Sequence, residues 1–267
     1  MSNERKDVWA AGNLYESYVG RWSRLVAREF LTWLAAPLHS EWLDVGCGTG
    51  ALTGVVLQQT QPRAVKGLDP SVGFIERARA HITDPRTSFE VADAQALPVD
   101  LASFDIAVSG LVLNFVPEPA RAVAEMVRAV RPGGTVAAYV WDYAGKMELM
   151  RYFWDAAVAL DPAASEVDEG RRFPMCQPAP LAEFFVQAGL SAVDVRPIDV
   201  PTRFRDFDDY WTPFLSGQGP APGYAMSLTD ERRAELRDRI RASLPIGMDG
   251  SIHLIARAWA VRGRKEQ

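Results

Sequence analysis

The fold is decided by the stretch Trp42–Gly50, WLDVGCGTG, which has the pattern of a short buried strand running into a glycine-rich turn. A helix is predicted to open directly after it, at Ala51. Glycines at every second position remove the Cβ atoms from the turn, so the backbone can take positive φ angles and approach a ligand closely. The helix directs its free N–H groups and the positive end of its dipole at whatever lies above the turn. The stretch therefore predicts a nucleotide-sized binding site.

Two cofactors compete for this turn. Read from Gly46, the residues Gly-Cys-Gly-Thr-Gly-Ala match the dinucleotide pattern G-x-G-x-x-G/A, and Asp69 follows at roughly the 20-residue distance found in NAD sites. Asp44, two residues before the first glycine, separates the two cofactors, because a carboxylate beside a pyrophosphate would be repelled by it. S-adenosylmethionine carries a sulfonium and an ammonium group and no phosphate. The charge of Asp44 therefore favours S-adenosylmethionine.

Four motifs resemble those of the class I S-adenosylmethionine-dependent methyltransferases, in particular the methyltransferase type 11, ubiquinone/menaquinone-biosynthesis-like branch. In chain order they are Leu43–Gly50, Gly67–Ser71, Ala92–Pro98 and Arg131–Gly134. They look like the family's first motif, its second-strand acid, its adenine-contacting loop and the turn before its fifth strand. The resemblance covers roughly residues 13–145. It implies an enzyme that uses S-adenosylmethionine, forms S-adenosylhomocysteine as product and requires no metal.

The resemblance also implies which residues contact the cofactor. They are Asp44, Gly46, Cys47 and Gly48 in the glycine turn, Asp69, Pro70 and Ser71 after strand two, Asp93 and Ala94 after strand three, and Gly110 and Leu111 after strand four. Asp69 would accept from the ribose hydroxyls, and Asp93 from the adenine amino group. Other interpretations stay open, since Asp69 or Ser71 can cap the next helix and Asp93 can close an Asx turn.

Residues 13–36 are predicted to be helical, because aromatic and aliphatic side chains recur there at three- and four-residue spacings. One interpretation is an amphipathic helix packed on the core. The other follows from the resemblance and makes this segment a cover for the cofactor. Tyr18 would then lie over the methionine chain, and Arg21 near its carboxylate.

From Glu41 onward strand and helix signals alternate, which predicts βαβ units and a parallel sheet. With the resemblance, the expected fold class is α/β: a Rossmann-like, seven-stranded, mostly parallel sheet with an antiparallel C-terminal hairpin and helices on both faces. Strands five, six and seven are predicted at Thr135–Trp141, Ser191–Ile198 and His253–Val261. The chain is expected to be a single methyltransferase domain. Its core would comprise residues 37–143, 177–198 and 251–262, with inserted lid segments at 144–176 and 199–250.

The inserted segments are rich in aromatic residues, among them Phe204, Phe207, Tyr210, Trp211 and Phe214. Ligand pockets are mostly apolar with few polar groups, so these rings favour a small, apolar or aromatic methyl acceptor. The rings could instead form the lid's own core, or the contact of a homodimer. Asn114 and Phe115, which follow strand four, are expected on the substrate side.

No catalytic residue is assigned from the sequence. Methyl transfer needs no nucleophile on the protein, because the sulfonium is already an activated leaving group and positioning supplies most of the rate. Asp142, Tyr143 and His253 are candidate general bases, and for none of them does the sequence favour this role over a structural one. The histidines His39, His81 and His253 are scattered, and neither cysteine belongs to a cluster with ligand spacing, so no metal site is expected.

The composition of the chain limits the kinds of partner and the cellular location that can be expected. The net charge of −5 argues against a nucleic-acid partner, which would call for a basic face. The polar start of the chain lacks the apolar core of a signal peptide, and no stretch has the length of a membrane span, so a cytoplasmic protein is expected.

The sequence therefore predicts transfer of a methyl group from S-adenosylmethionine to a small molecule. Two alternatives are kept. One is a non-catalytic module that binds S-adenosylmethionine. The other is an NAD(P)-dependent oxidoreductase, for which the sequence lacks a Tyr-x-x-x-Lys pair or another hydride-transfer arrangement.

Overall fold

A computed structural model describes residues 20–217 and 219–266, without the side chain of Arg21. The described chain divides into two compact units. The first, here called the sheet unit, comprises Ser23–Trp141, Met175–Ile198 and residues 258–266. The other, here called the second unit, comprises residues 20–22, Asp142–Pro174 and Asp199–Arg257.

The sheet has seven strands in the order β3-β2-β1-β4-β5-β7-β6. The strands are β1 (Glu41–Val45), β2 (Ala64–Asp69), β3 (Thr87–Val91), β4 (Phe104–Gly110), β5 (Val130–Trp141), β6 (Leu190–Phe204) and β7 (Ile252–Lys265). The first five are mutually parallel, and β7 runs antiparallel to β5. This confirms the predicted α/β fold class. The strand order reverses after β3, where the chain returns and places β4 beside β1 on the side opposite β2.

The β6–β7 pair is antiparallel as well. The Ser191 hydroxyl donates to the Arg264 carbonyl at 3.2 Å, and Arg262 donates to Asp194 at 3.2 Å, so partners fall along β7 as residues rise along β6. The C-terminal hairpin predicted from the sequence is therefore confirmed.

The last three strands are longer than predicted, and β6 differs most. It was expected to end at Ile198, yet it continues to Phe204. Pro197 and Pro201 interrupt the sequence pattern there, and proline is tolerated in a strand only at a sheet edge. Because β6 is the edge strand, both prolines fit, and the alternating burial of Ile198, Val200 and Phe204 continues past them.

The α-helices of the described ranges are α1 (Arg21–Leu34), α2 (Ala51–Gln59), α3 (Val72–His81), α4 (Pro119–Ala129), α5 (Glu148–Leu160), α6 (Glu169–Arg172), α7 (Pro178–Gln187), α8 (Phe207–Trp211), α9 (Pro220–Ser227) and α10 (Asp230–Ser243). Helix α1 is the described part of the predicted helix 13–36. It buries Val26, Ala27 and Phe30, and the Phe30 ring packs 4.8 Å from that of Tyr139 on β5. No helix within the described ranges is both long and apolar enough to cross a membrane.

The second unit is held together by aromatic rings. The rings of Phe153 and Phe214 stack at 4.6 Å, and those of Phe204 and Tyr210 meet edge to face at 5.2 Å. The buried Tyr210 hydroxyl donates to the Leu149 carbonyl at 2.7 Å. These rings form a core of their own, which is one of the interpretations left open above. That the segments 144–176 and 199–250 act as lids stays a prediction.

Candidate cofactor site

The glycine turn between β1 and α2 is fixed by backbone hydrogen bonds to β2. The N–H groups of Gly46 and Cys47 both donate to the Leu68 carbonyl, at 2.7 and 3.0 Å. Gly46 has φ +75°, and a Cβ atom there would lie 2.5 Å from the Val112 side chain. Gly48 has φ +55° and would meet no atom within 4 Å. The turn is therefore closely packed at Gly46 and open at Gly48, where a ligand can reach the backbone.

Asp44 lies at the end of β1 and is almost fully buried, with 1% exposure. Its Oδ2 atom accepts from the Thr53 hydroxyl at 2.6 Å, while Oδ1 has no hydrogen-bond partner among the described residues. Burial raises the pKa of this carboxyl from 3.8 to about 7, against the lowering effect of the Thr53 hydrogen bonds. A buried carboxylate with a vacant acceptor is costly unless a cation or a donor pairs with it.

Asp69 ends β2 and joins the two loops beside it. Its Oδ2 accepts from the Gly48 N–H at 3.0 Å and its Oδ1 from the Ser71 N–H at 2.8 Å. Burial raises the pKa of Asp69, and these two N–H groups oppose the increase. An ionised carboxylate offers about four lone-pair sites, so acceptor capacity remains after two bonds. The predicted contact with ribose hydroxyls is compatible with this arrangement and stays a prediction.

Ser71 is the N-cap of α3. Its hydroxyl accepts from the Phe74 N–H at 3.3 Å and its backbone is extended. Ser71 could cap the helix or contact the cofactor, and the structure shows the hydrogen bond that helix capping requires. Pro70, between the two polar residues, is exposed.

Asp93 follows β3 and is exposed. Its Oδ1 accepts from the Gln95 N–H at 2.9 Å, which is the geometry of an Asx turn, and the Gln95 side chain donates to the same carboxylate at 3.2 Å. Ala94 is buried. The adenine contacts expected of Asp93 and Ala94 stay predictions.

The loop after β4 is tied to β5. The Leu111 N–H donates to the Tyr139 carbonyl at 2.8 Å, and Leu111 takes φ +63°, in the left-handed region. At Gly110 a Cβ atom would lie 2.5 Å from the Tyr139 hydroxyl oxygen, so this position has to be glycine for the ring to pack. Beyond it the chain turns back, bringing Val112 against Gly46 of the glycine turn.

Asn114 is expected from the sequence to lie on the substrate side, and it is not among the predicted cofactor contacts. Asn114 is 7% exposed, and neither its amide oxygen nor its amide nitrogen has a partner among the described residues. The sequence carried one signal for it: from Gly110 to Pro117, Asn114 is the single polar side chain.

Residues 43–138 match the model of a methyltransferase domain family. The malonyl-[acyl-carrier protein] O-methyltransferase of Hahella chejuensis is 38% identical over 92 residues, which are 34% of this chain and 33% of that protein. The trans-aconitate 2-methyltransferase of Methylobacterium radiotolerans is 31% identical over 160 residues, 57% of this chain and 58% of that protein. Residues 43–138 therefore form a methyltransferase domain of the class I, S-adenosylmethionine-dependent type.

Solved structures show the same fold for the methyltransferase domain. Phosphoethanolamine N-methyltransferase 2 of Haemonchus contortus, solved with phosphomonomethylethanolamine and S-adenosylhomocysteine, superposes with a TM-score of 0.59. It is 15% identical and the match covers 96% of this chain and 57% of that one. The chain spans 33% and 58% of the length of the two curated relatives described above, so likeness to them defines the domain and not the activity of a whole protein.

S-adenosylmethionine is the cofactor of this type of domain, and the residues present fit it. The vacant Oδ1 of Asp44 suits a cationic group, the open side of Gly48 admits a ligand to the backbone, and Asp69 retains acceptor capacity. A pyrophosphate would set its negative charge beside two buried carboxyls. The preference for S-adenosylmethionine over NAD, inferred from charge in the sequence, agrees with the family match.

Cys47 belongs to the methyltransferase domain's packing as well as to its glycine turn. Its side chain lies in a buried cluster with Ile75, Ala78 and Phe89, and its thiol donates to the Gly48 carbonyl at 3.8 Å. Burial raises the pKa of the thiol far above its usual range. Only the Cys47 backbone is therefore left to face a ligand.

Two predicted contacts cannot be placed. Tyr18 and the side chain of Arg21 lie outside the described residues. Within the ranges that the structure describes, no group of three or more His, Cys, Asp or Glu residues is arranged to hold a metal ion.

Proposed function

We propose that the protein is an enzyme that transfers the methyl group of S-adenosylmethionine to a small molecule with an apolar or aromatic body. The observation that carries this proposal is Asp44, a buried carboxyl with one unpartnered oxygen beside the open Gly48 position of the glycine turn. A cationic cofactor would supply the missing charge. A non-catalytic protein that binds the same cofactor would share this feature, so turnover has to be measured separately.

The second unit supports an apolar or aromatic acceptor. Its fully buried rings, Phe204 and Phe214 among them, form a core, and other rings, such as those of Tyr152, Phe173 and Tyr224, are only partly covered. The names of the two curated relatives specify malonyl and aconitate acceptors. They support a carboxyl group as part of the acceptor.

Methyl transfer from S-adenosylmethionine requires little chemical activation by the protein. The sulfonium of S-adenosylmethionine is an activated leaving group, so the protein has to hold acceptor, methyl and sulfur in line and exclude water. A general base is required only for an acceptor that must lose a proton.

We further propose a cytoplasmic protein without a nucleic-acid partner. The net charge is −5, and the cysteines Cys47 and Cys176 are both free and buried, as in proteins of reducing compartments. A homodimer is the remaining partner prediction, and light scattering on the purified chain would test it.

Calorimetry tests which cofactor the protein binds, and mass spectrometry tests whether the protein transfers the methyl group. S-adenosylmethionine and S-adenosylhomocysteine should bind with dissociation constants on the order of micromolar, and NAD should not bind at a thousandfold higher concentration. Incubation of deuteromethyl-labelled cofactor with a metabolite extract should then give labelled product. Binding without labelled product would favour the non-catalytic module, and binding of NAD alone would overturn the proposal.

A further inference from the structure

The loop after β4 holds one polar side chain in an apolar setting. From Gly110 to Pro117 the side chains are aliphatic or aromatic except that of Asn114. Asn114 is buried, and both polar atoms of its carboxamide are shielded from water and without a partner among the described residues. An unpaired buried donor or acceptor destabilises the folded state, so a leucine would be the better residue if packing were the whole role of this position.

The loop is built to keep that carboxamide in one place. Leu111 adopts the left-handed conformation, which is unfavourable for a non-glycine residue, and its N–H donates to a carbonyl of β5. A 3-10 turn over Leu113–Phe115 follows, closed by the Phe115 N–H donating to the Val112 carbonyl at 2.8 Å. Strain that is held by surrounding hydrogen bonds is typical of ligand-binding positions.

The position of Asn114 points to the methyl-transfer end of the site. Val112 packs on Gly46 of the glycine turn, and the loop leaves the carboxyl end of β4, next to β1. The residues expected to hold ribose and adenine, Asp69 and Asp93, follow β2 and β3 on the other side of β1. Ser109 and Trp42 also have unpartnered buried polar atoms, but both lie within strands, whereas Asn114 lies in the loop that follows β4.

We propose that the carboxamide of Asn114 binds the carboxylate of the methyl acceptor, with one of its N–H groups donating to a carboxylate oxygen. This deepens the proposed methyltransferase function and rests on it. An amide cannot take up a proton, and no other polar side chain lies between Gly110 and Pro117. The loop therefore suits an acceptor that is already ionised.

A carboxylate makes such a transfer balance without a base. A lone pair of the oxygen forms the new O–CH3 bond while the S–CH3 bond breaks, and the electrons of that bond stay on sulfur. The sulfonium becomes a neutral thioether, the carboxylate becomes a methyl ester, and no proton is gained or lost.

The test uses the full chain saturated with S-adenosylhomocysteine, with cinnamate, phenylacetate and decanoate as probes and the corresponding alcohols as neutral matches. The wild type should bind at least one carboxylate about tenfold or more above its alcohol. Asn114→Leu should weaken that binding about 10- to 100-fold, and Asn114→Asp more, because it sets a negative charge against the probe. Ser109→Ala, which removes another unpartnered buried group, is the matched control and should bind the carboxylate like the wild type.

Two readouts separate this role from a structural one. Affinity for S-adenosylhomocysteine should change less than about threefold in Asn114→Leu, and its melting temperature should stay level or rise, since two unpaired polar atoms are removed. Equal carboxylate binding by Asn114→Leu and wild type would overturn the proposal. So would a wild type that binds no carboxylate or prefers the alcohols, even where it takes up the cofactor and methylates another acceptor. Failure to bind S-adenosylhomocysteine at all would instead overturn the proposed function.

Discussion

Buried polar side chains differ in their hydrogen bonding between the carboxyl edge of the sheet and the second unit. In the second unit the buried acids have hydrogen-bond donors: Glu169 accepts from the Trp154 indole, and Asp168 accepts from Arg151 at 2.8 Å. Within the described ranges, Thr202 is the one residue of this unit with a buried side-chain atom that has no hydrogen-bond partner. At the carboxyl edge of the sheet, Asp44 and Asn114 keep vacant polar atoms. Since unpaired buried groups destabilise a fold, their position at one edge indicates a ligand that completes them.

The largest difference between the two regions should come from removing an acid in each. Asp69→Ala should weaken S-adenosylmethionine binding about 100-fold or more, because the Gly48 and Ser71 N–H groups lose their acceptor along with the predicted ribose contact. Asp161→Ala removes an acid of the second unit that caps a 3-10 turn and should leave binding unchanged. Calorimetry on both variants measures their affinity for S-adenosylmethionine. Equal losses of affinity would contradict the proposed difference between the two regions.

A smaller effect is expected within the glycine turn itself. Gly48→Ala should lower cofactor affinity about tenfold with little loss of stability beyond the roughly 1 kcal/mol of a positive φ angle, since a Cβ atom there meets nothing within 4 Å. Gly46→Ala should unfold at a clearly lower temperature, because its Cβ would lie 2.5 Å from Val112. Thermal melts and calorimetry should rank the two variants in opposite order. A Gly48→Ala protein that binds like the wild type would show that the open side is not the ligand side.

No effect on cofactor affinity is expected from Glu169→Gln, although stability should change. Burial raises the pKa of Glu169 from 4.5 to about 7. The folded state then binds this proton more tightly than the unfolded state, so the associated stability is present below pH 4.5 and is lost as the pH rises through about 7. Gln keeps the acceptor for Trp154 without a charge.

The Glu169→Gln variant should therefore exceed the wild type by up to about 3 kcal/mol at about pH 8 and show no gain near pH 4. Urea unfolding at the two pH values measures this. A gain of the same size at both, or a change in S-adenosylmethionine affinity, would contradict the assignment of Glu169 to the fold of the second unit.

Much of the sheet unit follows from local sequence. The glycine turn, Asp44 and Asp69 stand at strand ends that hydrophobic runs mark clearly, so their positions could be predicted. The full length of β6 could not, because Pro197 and Pro201 look like strand breakers unless the strand is known to lie at an edge. The sequence also could not predict that polar atoms of Asp44 and Asn114 lack hydrogen-bond partners. Whether a buried atom has a partner depends on all the residues that tertiary packing places around it.

The second unit was harder to predict. From the sequence, its aromatic residues fit both an acceptor pocket and an internal core, and periodicity alone does not distinguish the two. The structure shows that Phe204, Tyr210 and Phe214 are fully buried, which assigns these three to packing. The residues that contact an acceptor there are not fixed by burial, and they stay predictions.

Proton release on cofactor binding tests the role of Asp44 most directly. With a pKa of about 7, Asp44 is mostly protonated at about pH 6, and a cation placed beside it should drive the proton off. Calorimetry of S-adenosylmethionine binding in buffers of different ionisation enthalpy should show release of up to about 0.9 proton from the wild type and close to none from Asp44→Asn. Equal proton release by the two proteins, or none by either while the cofactor binds normally, would contradict the account.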